Sequence, residues 1–129
     1  IFSLYGKYEA ETRMLPALVK SLRENKDFQM ATDGRQHWDY LYVSDGAEAL
    51  IALMEKGKNG EIYNIASGTY RPMREFVELA KDFVGSKACV AYDEMSASLY
   101  SLQPSTEKIK RDTDWLPQIE FCAGIGRYS

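Results

Sequence analysis

The sequence predicts an α/β fold. Short runs rich in aromatic and branched residues, such as Asp39 to Val43, alternate with apolar stripes at helical spacing. Turn and stop signals (Asp33-Gly34, Gly57, Asn59-Gly60, Gly85) fall between these segments. The 129 residues are 45% apolar and 27% charged, an ordinary balance for a chain that buries a core. That length suits one domain or part of one.

The elements follow in order. Ile1 to Tyr5 reads as a short strand. Leu15, Leu18, Val19 and Leu22 keep the i, i+3, i+4, i+7 spacing of one helical face. Phe28 to Ala31 is a candidate strand, whose alternation sends Phe28 and Met30 to the core and Gln29 and Ala31 to the other side. Asp39 to Val43 is a strand by composition. Ser44-Asp45 offers a cap and an acidic first turn, and the helix it opens carries Ala47, Leu50, Ile51 and Met54 on one side. Lys56 and Gly57 close that helix. Glu61 to Ile65 is expected to be another strand. Pro72 suits the first helical position before the stripe Met73, Phe76, Val77, Ala80 and Val84, which Gly85 stops. Ala88 to Tyr92 reads as a strand, while Met95 to Pro104 shows no clear preference. Ser105 caps a short helix through Arg111, Trp115-Leu116-Pro117 breaks it, and Phe121 to Tyr128 opens a last helix.

Composition excludes several classes. A formal charge of −3 is the wrong sign for a general nucleic-acid binder. The longest clean apolar run, Ala49 to Met54, is far short of a spanning helix, so no membrane role is expected. Cys89 and Cys122 fit neither a CxxC pair nor a disulfide framework and are read as reduced thiols of a cytoplasmic protein. No signal peptide is recognisable. The chain lacks an initiator Met and opens on an apolar run, as if cut from something longer.

Candidate chemistry is sparse. A single histidine, His37, rules out a His-rich metal site, and no metal is expected. His37, Asp39 and Ser44 could be counted as a triad, but no nucleophile elbow surrounds any serine, and His37 reads as a polar loop or edge residue. Asp39 and Asp45 flank a strand as a possible acid/base pair, or as anchors of the strand–helix junction. Gly124-Ile125-Gly126-Arg127-Tyr128-Ser129 looks like a dinucleotide loop without its third glycine or its crossover helix, and no GxxxxGK[ST] loop exists. The residues alone give an α/β unit with no self-sufficient active site.

The order of segments adds a resemblance. Phe2-Ser3-Leu4-Tyr5-Gly6 followed by Met14-Leu15-Pro16 resembles the start of the substrate-binding half of extended short-chain dehydrogenases/reductases, the NAD(P)-dependent nucleotide-sugar epimerases and dehydratases. Gly34 to Ala47 resembles their GxQxRD-aromatic-x-x-VxDxA segment, and Glu61 to Gly68 their YN(I/L)xxG strand and loop. Met73 to Phe76 fits the next helix. Ser105 to Lys108, Trp115 to Pro117 and Gly124-Ile125 resemble their closing pattern. The motifs keep the family's order across nearly the whole chain.

The resemblance implies a small substrate-binding lobe without the Rossmann domain, residues 1–129 forming a single partial unit. It implies NAD or NADP in the parent and none bound by this chain. The family's catalytic YxxxK pair is expected upstream of Ile1, since no tyrosine here has Lys four positions later; Tyr70, with Arg74, comes nearest. These residues alone are then not catalytically competent. Expected substrate contacts are Ser3 in place of a sugar-binding Asn, Leu15 in the nucleotide pocket, and Gln29 and Ala31 along the base. Trp38 stands where the family often has a diphosphate-gripping Arg, and its indole N–H offers one bond and no charge. Arg35, Arg71 or Arg13 could replace that grip. The expected partners are a nucleotide sugar and the missing Rossmann half. The alternatives are a stand-alone nucleotide-sugar binding module and a structural unit that self-associates as a homo-oligomer through the face left bare.

Overall fold

The computed structural model describes residues 1–98 and 100–128, so one position of the Met95 to Pro104 stretch and the last residue of the Gly124 to Ser129 motif lie outside the described residues. Among the described residues, three two-stranded sheets are interleaved with five helices. Strand β1 (Ser3–Tyr5) runs parallel to β4 (Tyr40–Tyr42), with Leu4 opposite Leu41. Strand β2 (Phe28–Gln29) runs parallel to β6 (Val90–Ala91), and β3 (His37–Trp38) pairs antiparallel with β5 (Arg71–Pro72). The helices are α1 (Met14–Arg23), α2 (Val43–Lys56), α3 (Met73–Val84), α4 (Glu107–Thr113) and α5 (Phe121–Ile125).

Two apolar clusters hold these pieces. The larger joins Leu15, Leu18, Val19 and Leu22 of α1 to Met73, Phe76, Val77 and Ala80 of α3, with Tyr5, Met30 and Ile125 between them. Both helices bury the stripe their spacing prescribes, each large side chain contributing about 1.5–3 kcal/mol. Tyr5 is 2% exposed and meets Tyr40, Tyr42 and Phe121 at ring separations of 5.3–5.7 Å. The smaller cluster gathers Leu41, Ala49, Ile65, Ile109 and Trp115. Helix α3 stops at Gly85, whose φ of +73° lets its N–H and that of Ser86 return to the carbonyl of Lys81.

The structure differs from the sequence expectation at several places, among them α4, whose N-cap is Thr106 and not Ser105, and α5, which ends at Ile125. Helix α2 turns Asp45, Gly46 and Ala49 inward, leaving Leu50, Ile51 and Met54 46%, 48% and 86% exposed. Packing distance is the reason: a Cβ on Gly46 would stand 2.8 Å from Leu4, so only small residues fit against β1. Ser44 and Asp45 lie inside α2 and do not cap it; its N-cap is Tyr42. Glu61 to Ile65 forms no strand, because a ladder needs a neighbour, and among the described residues the one distant backbone donor that reaches it is Phe2 N–H, at Ile65 O (3.0 Å). Pro72 precedes α3 as its N-cap, one position earlier than expected.

Ion pairs lie at the surface, with Asp112 the least exposed of their carboxylates at 3%. The Glu61 carboxyl is held below its usual range by the bond from Lys108, and that of Glu94 by the bond from Arg74. Asp112 is lowered first by the Tyr63 hydroxyl and then by Arg111. Depressed folded-state values mean that the unfolded chain binds protons more tightly. These contacts therefore stabilise above about pH 4 and are lost as pH falls through the folded values. Urea midpoints measured from pH 6 to 3 should fall, and Glu94→Gln should shallow that slope.

Among the described residues, no helix is long and apolar enough to cross a membrane, and no group of three His, Cys, Asp or Glu side chains is placed to hold a metal ion.

Candidate functional site

A cavity of about 320 Å³ opens where β1, the first turn of α1, the end of β2 and the β3–β4 segment converge. Alternation along the chain builds its walls. Trp38 and Tyr40 are two positions apart and both face it. Met14 and Leu15 enter from α1, and Met30 and Ala31 from the segment after β2. The turn at residues 32–36 is fixed from within. Gln36 Nε2 donates to Thr32 Oγ1 (3.1 Å), Arg35 N–H donates to Asp33 Oδ1 (3.0 Å), and Gly34 takes a φ of +71°. Its carbonyls complete the helix behind it: Arg74 N–H donates to Gly34 O (2.9 Å) and Met73 N–H to Gln36 O (2.8 Å). These donors would otherwise be orphaned at the start of α3, which explains why it has no side-chain cap.

Four of the six expected contact residues meet at this cavity: Ser3, Leu15, Ala31 and Trp38. Gln29 and Arg35 do not line it. Gln29 is exposed, with Nε2 donating to Met30 O (2.9 Å). Arg35 is drawn away to Glu94 (3.0 Å) and Asp33 (3.6 Å). Among the described residues, the Ser3 hydroxyl and the Trp38 indole N–H make no hydrogen bond to another side chain or backbone group, so both remain available to a ligand.

Among the described residues, charge at the cavity is confined to Glu9 and Arg13, which pair at 3.3 Å. Tyr128 OH also donates to Glu9 (2.6 Å). Burial pushes the Tyr128 phenol upward, and the Glu9 carboxylate pushes it further, so it stays a donor. Tyr40 is raised for the same two reasons. Glu9 was not foreseen, although its i,i+4 spacing to Arg13 is visible in the sequence.

The remaining candidates have structural tasks. Asp39 is fully buried, and its two oxygens accept from Ser67 N–H (2.7 Å), Ser67 Oγ (3.0 Å) and Gly68 N–H (2.9 Å). It thus anchors the loop after the Glu61 to Ile65 segment and is not free for His37 or Ser44. Asp45 Oδ2 accepts from Gln118 N–H (3.0 Å) and Ile119 N–H (2.8 Å), tying α2 to the segment before α5. The two aspartates serve different loops and form no acid/base pair.

The glycines at 124 and 126 do not fit a dinucleotide. Gly124 lies within α5, and a Cβ there would sit 2.0 Å from the Tyr5 hydroxyl, leaving no room for a pyrophosphate. A second cavity of about 440 Å³ lies across Tyr40, floored by Phe76 and Phe121. Two of its polar side chains are engaged elsewhere, Ser67 with Asp39 and Arg71 with Glu75 (3.5 Å). The first cavity, which gathers four of the six expected contact residues, is the better candidate site.

Comparison with known proteins supplies the context. The profile of the NAD dependent epimerase/dehydratase family matches residues 1–66. A dTDP-glucose 4,6-dehydratase of Escherichia coli is 30% identical over 132 aligned positions, covering 94% of this chain but only 36% of that protein. A solved dTDP-glucose 4,6-dehydratase from Bacillus anthracis, in complex with NAD, superposes with a TM-score of 0.74 at 26% identity, covering 98% of this chain and 40% of its own. UDP-glucose 4-epimerase from Thermotoga maritima, with UDP-glucose, shares the fold at a TM-score of 0.80 and 22% identity, over 96% of this chain and 41% of that one. The chain thus spans well under half the length of the proteins it matches.

Proposed function

The chain belongs to the NAD dependent epimerase/dehydratase family, and from that premise we propose that it is the nucleotide-sugar-binding portion of an NAD(P)-dependent sugar-nucleotide epimerase, dehydratase or reductase. The observation that carries this is the cavity, where Ser3, Leu15, Ala31 and Trp38 converge with two uncommitted polar groups on mainly apolar walls. Such a surface suits a flat base and sugar rings, oriented by a few hydrogen bonds. The similar Thermotoga maritima epimerase is seen with UDP-glucose, which supports the same class of ligand here. Hydride transfer needs a tyrosine–lysine pair and a dinucleotide site. No tyrosine of this sequence has a lysine four positions later, and we assign that chemistry to the rest of the parent protein.

The outer face of α2 supports a two-part parent. A helix with apolar residues on two sides belongs between layers. Here the inner side, at Gly46 and Ala49, is covered, while Leu50, Ile51 and Met54 are open. The hydride-handling half is the body assigned to that face. Without it, the 129 residues should self-associate, and Ile51→Glu should shift gel filtration at high concentration toward the monomer. An unchanged elution position would count against this.

The binding claim is tested by calorimetric titration with UDP-glucose, dTDP-glucose and free glucose. At least one nucleotide sugar should bind, and Ala31→Trp, which fills the cavity from an exposed position, should abolish its heat while the variant keeps its circular dichroism. Equal weak heats from all three ligands would contradict the proposal. No NAD-dependent turnover is expected from this chain alone; sustained turnover would contradict the division of labour.

A further inference from the structure

The structure assigns Arg74 as a positioning residue of the first cavity: from outside the lining, its side chain clamps together the two loops that build one wall. The assignment rests on the nucleotide-binding reading above and adds a determinant behind the contact residues. Arg74 stands in the first turn of α3 and does not line the cavity. What it holds does. Its Nε donates to Asp33 O (2.6 Å), inside the turn whose Thr32 and Gln36 face the cavity. Its Nη2 donates to Glu94 (2.5 Å), in the segment that leads to Ser98 on the same wall. The guanidinium also lies over the Tyr92 ring, 4.1 Å from its centre. One planar group thus joins three pieces of chain, which suits arginine and its fixed fork of donors.

The two loops depend on this clamp. Backbone bonds zip them together: Asp93 N–H donates to Thr32 O (3.1 Å), and Asp33 N–H to Ser96 O (3.0 Å). Packing does little to hold the outer loop, because Asp93, Glu94 and Met95 are all exposed. Glu94 is gripped from both sides, by Arg74 and by Arg35 at 3.0 Å. Arg35, expected at the ligand, therefore belongs to the clamp. An isolated exposed pair contributes little, but here two cations share one carboxylate and the Arg74 side chain is only 33% exposed. There is no slack behind the turn, since a Cβ on Gly34 would lie 2.8 Å from Arg74 Cγ. Opening the clamp loosens the wall and leaves the buried stripe of α3 in place. Ligand affinity should then suffer more than stability.

The test compares the whole chain with its variants Arg74→Gln, Arg74→Lys and Glu94→Gln. Lys108→Gln is the control, since Lys108 pairs with Glu61 at α4 and touches neither loop. Each protein is titrated with UDP-glucose and dTDP-glucose, and the indole N–H resonances of Trp38 and Trp115 are recorded without ligand. Arg74→Gln should weaken nucleotide-sugar binding about tenfold, the scale of one charged hydrogen bond. It should also shift the Trp38 resonance of the free protein, because Trp38 follows the turn directly, and leave Trp115 in place. Loss of stability alone would move neither resonance at a temperature well below unfolding. Arg74→Lys keeps the charge without the fork and should recover part of the affinity. Glu94→Gln changes an exposed group, so it carries the test even if Arg74→Gln does not fold; it should weaken binding in the same direction. Unchanged affinity and an unmoved Trp38 in Glu94→Gln and in folded Arg74→Gln would overturn the assignment and leave the nucleotide-binding reading intact. So would an equal loss in Lys108→Gln. If the wild type binds neither sugar, that reading falls, and the Trp38 shift in the free variants still decides whether Arg74 holds the wall.

Discussion

Asp39→Asn should destabilise the fold by about 2–4 kcal/mol, whereas Asp45→Asn should cost less than about 1 kcal/mol. The two residues are the same acid, both buried, yet they use their oxygens differently. Asp39 accepts a backbone N–H on each oxygen, from Ser67 and from Gly68. An amide has one carbonyl oxygen, so either orientation turns its NH2 against one of those donors and leaves a buried N–H unsatisfied. Asp45 takes both backbone donors on Oδ2 alone. Its amide keeps both bonds and loses only a first-turn charge at α2, worth about 0.3–1 kcal/mol. Urea unfolding of the two variants in parallel checks this. Equal losses would mean that buried charge, and not the count of acceptors, sets the cost.

Gly124→Ala is the second large effect, a loss of about 2–3 kcal/mol from overpacking. The added methyl would lie 2.0 Å from the Tyr5 hydroxyl and 2.6 Å from the ring carbon that bears it. Tyr5 cannot step aside, because it sits at the centre of the larger cluster among Tyr40, Tyr42 and Phe121. Adding Tyr5→Phe should recover only part of the loss, since the ring carbons still collide. Thermal unfolding of the single and double variants reads the difference; full recovery would place the conflict at the hydroxyl alone. This glycine is required for closeness, not for backbone freedom.

The helices were legible in the sequence because their apolar periods coincide with what they bury, as in α1 and α3. Helix α2 shows where that reading fails. Its bulky stripe is real, but Gly46 and Ala49 decide the inner face because β1 lies so close, and spacing alone does not reveal that distance. The Glu61 to Ile65 segment carries strand residues with no ladder to join, since pairing is a non-local property. At the candidate site, Ser3 and Trp38 were expected from the family resemblance, at the places of a sugar-binding Asn and a diphosphate-gripping Arg, and both line the cavity. The placement of Arg35 was not legible, because the pull of Glu94 comes from 59 residues away in the chain. The same holds for Glu9, whose second partner, Tyr128, arrives from the far end of the sequence.

The two tryptophans make the most direct test. Trp38 stands on the cavity wall, and Trp115 is buried in the smaller cluster. Each contributes one indole N–H resonance to a nitrogen-correlated spectrum. Titration with a nucleotide sugar should move the Trp38 signal with saturation and leave that of Trp115 in place. A ligand that binds while Trp38 stays still, or that shifts Trp115 instead, would contradict the assignment of this cavity as the nucleotide-sugar site.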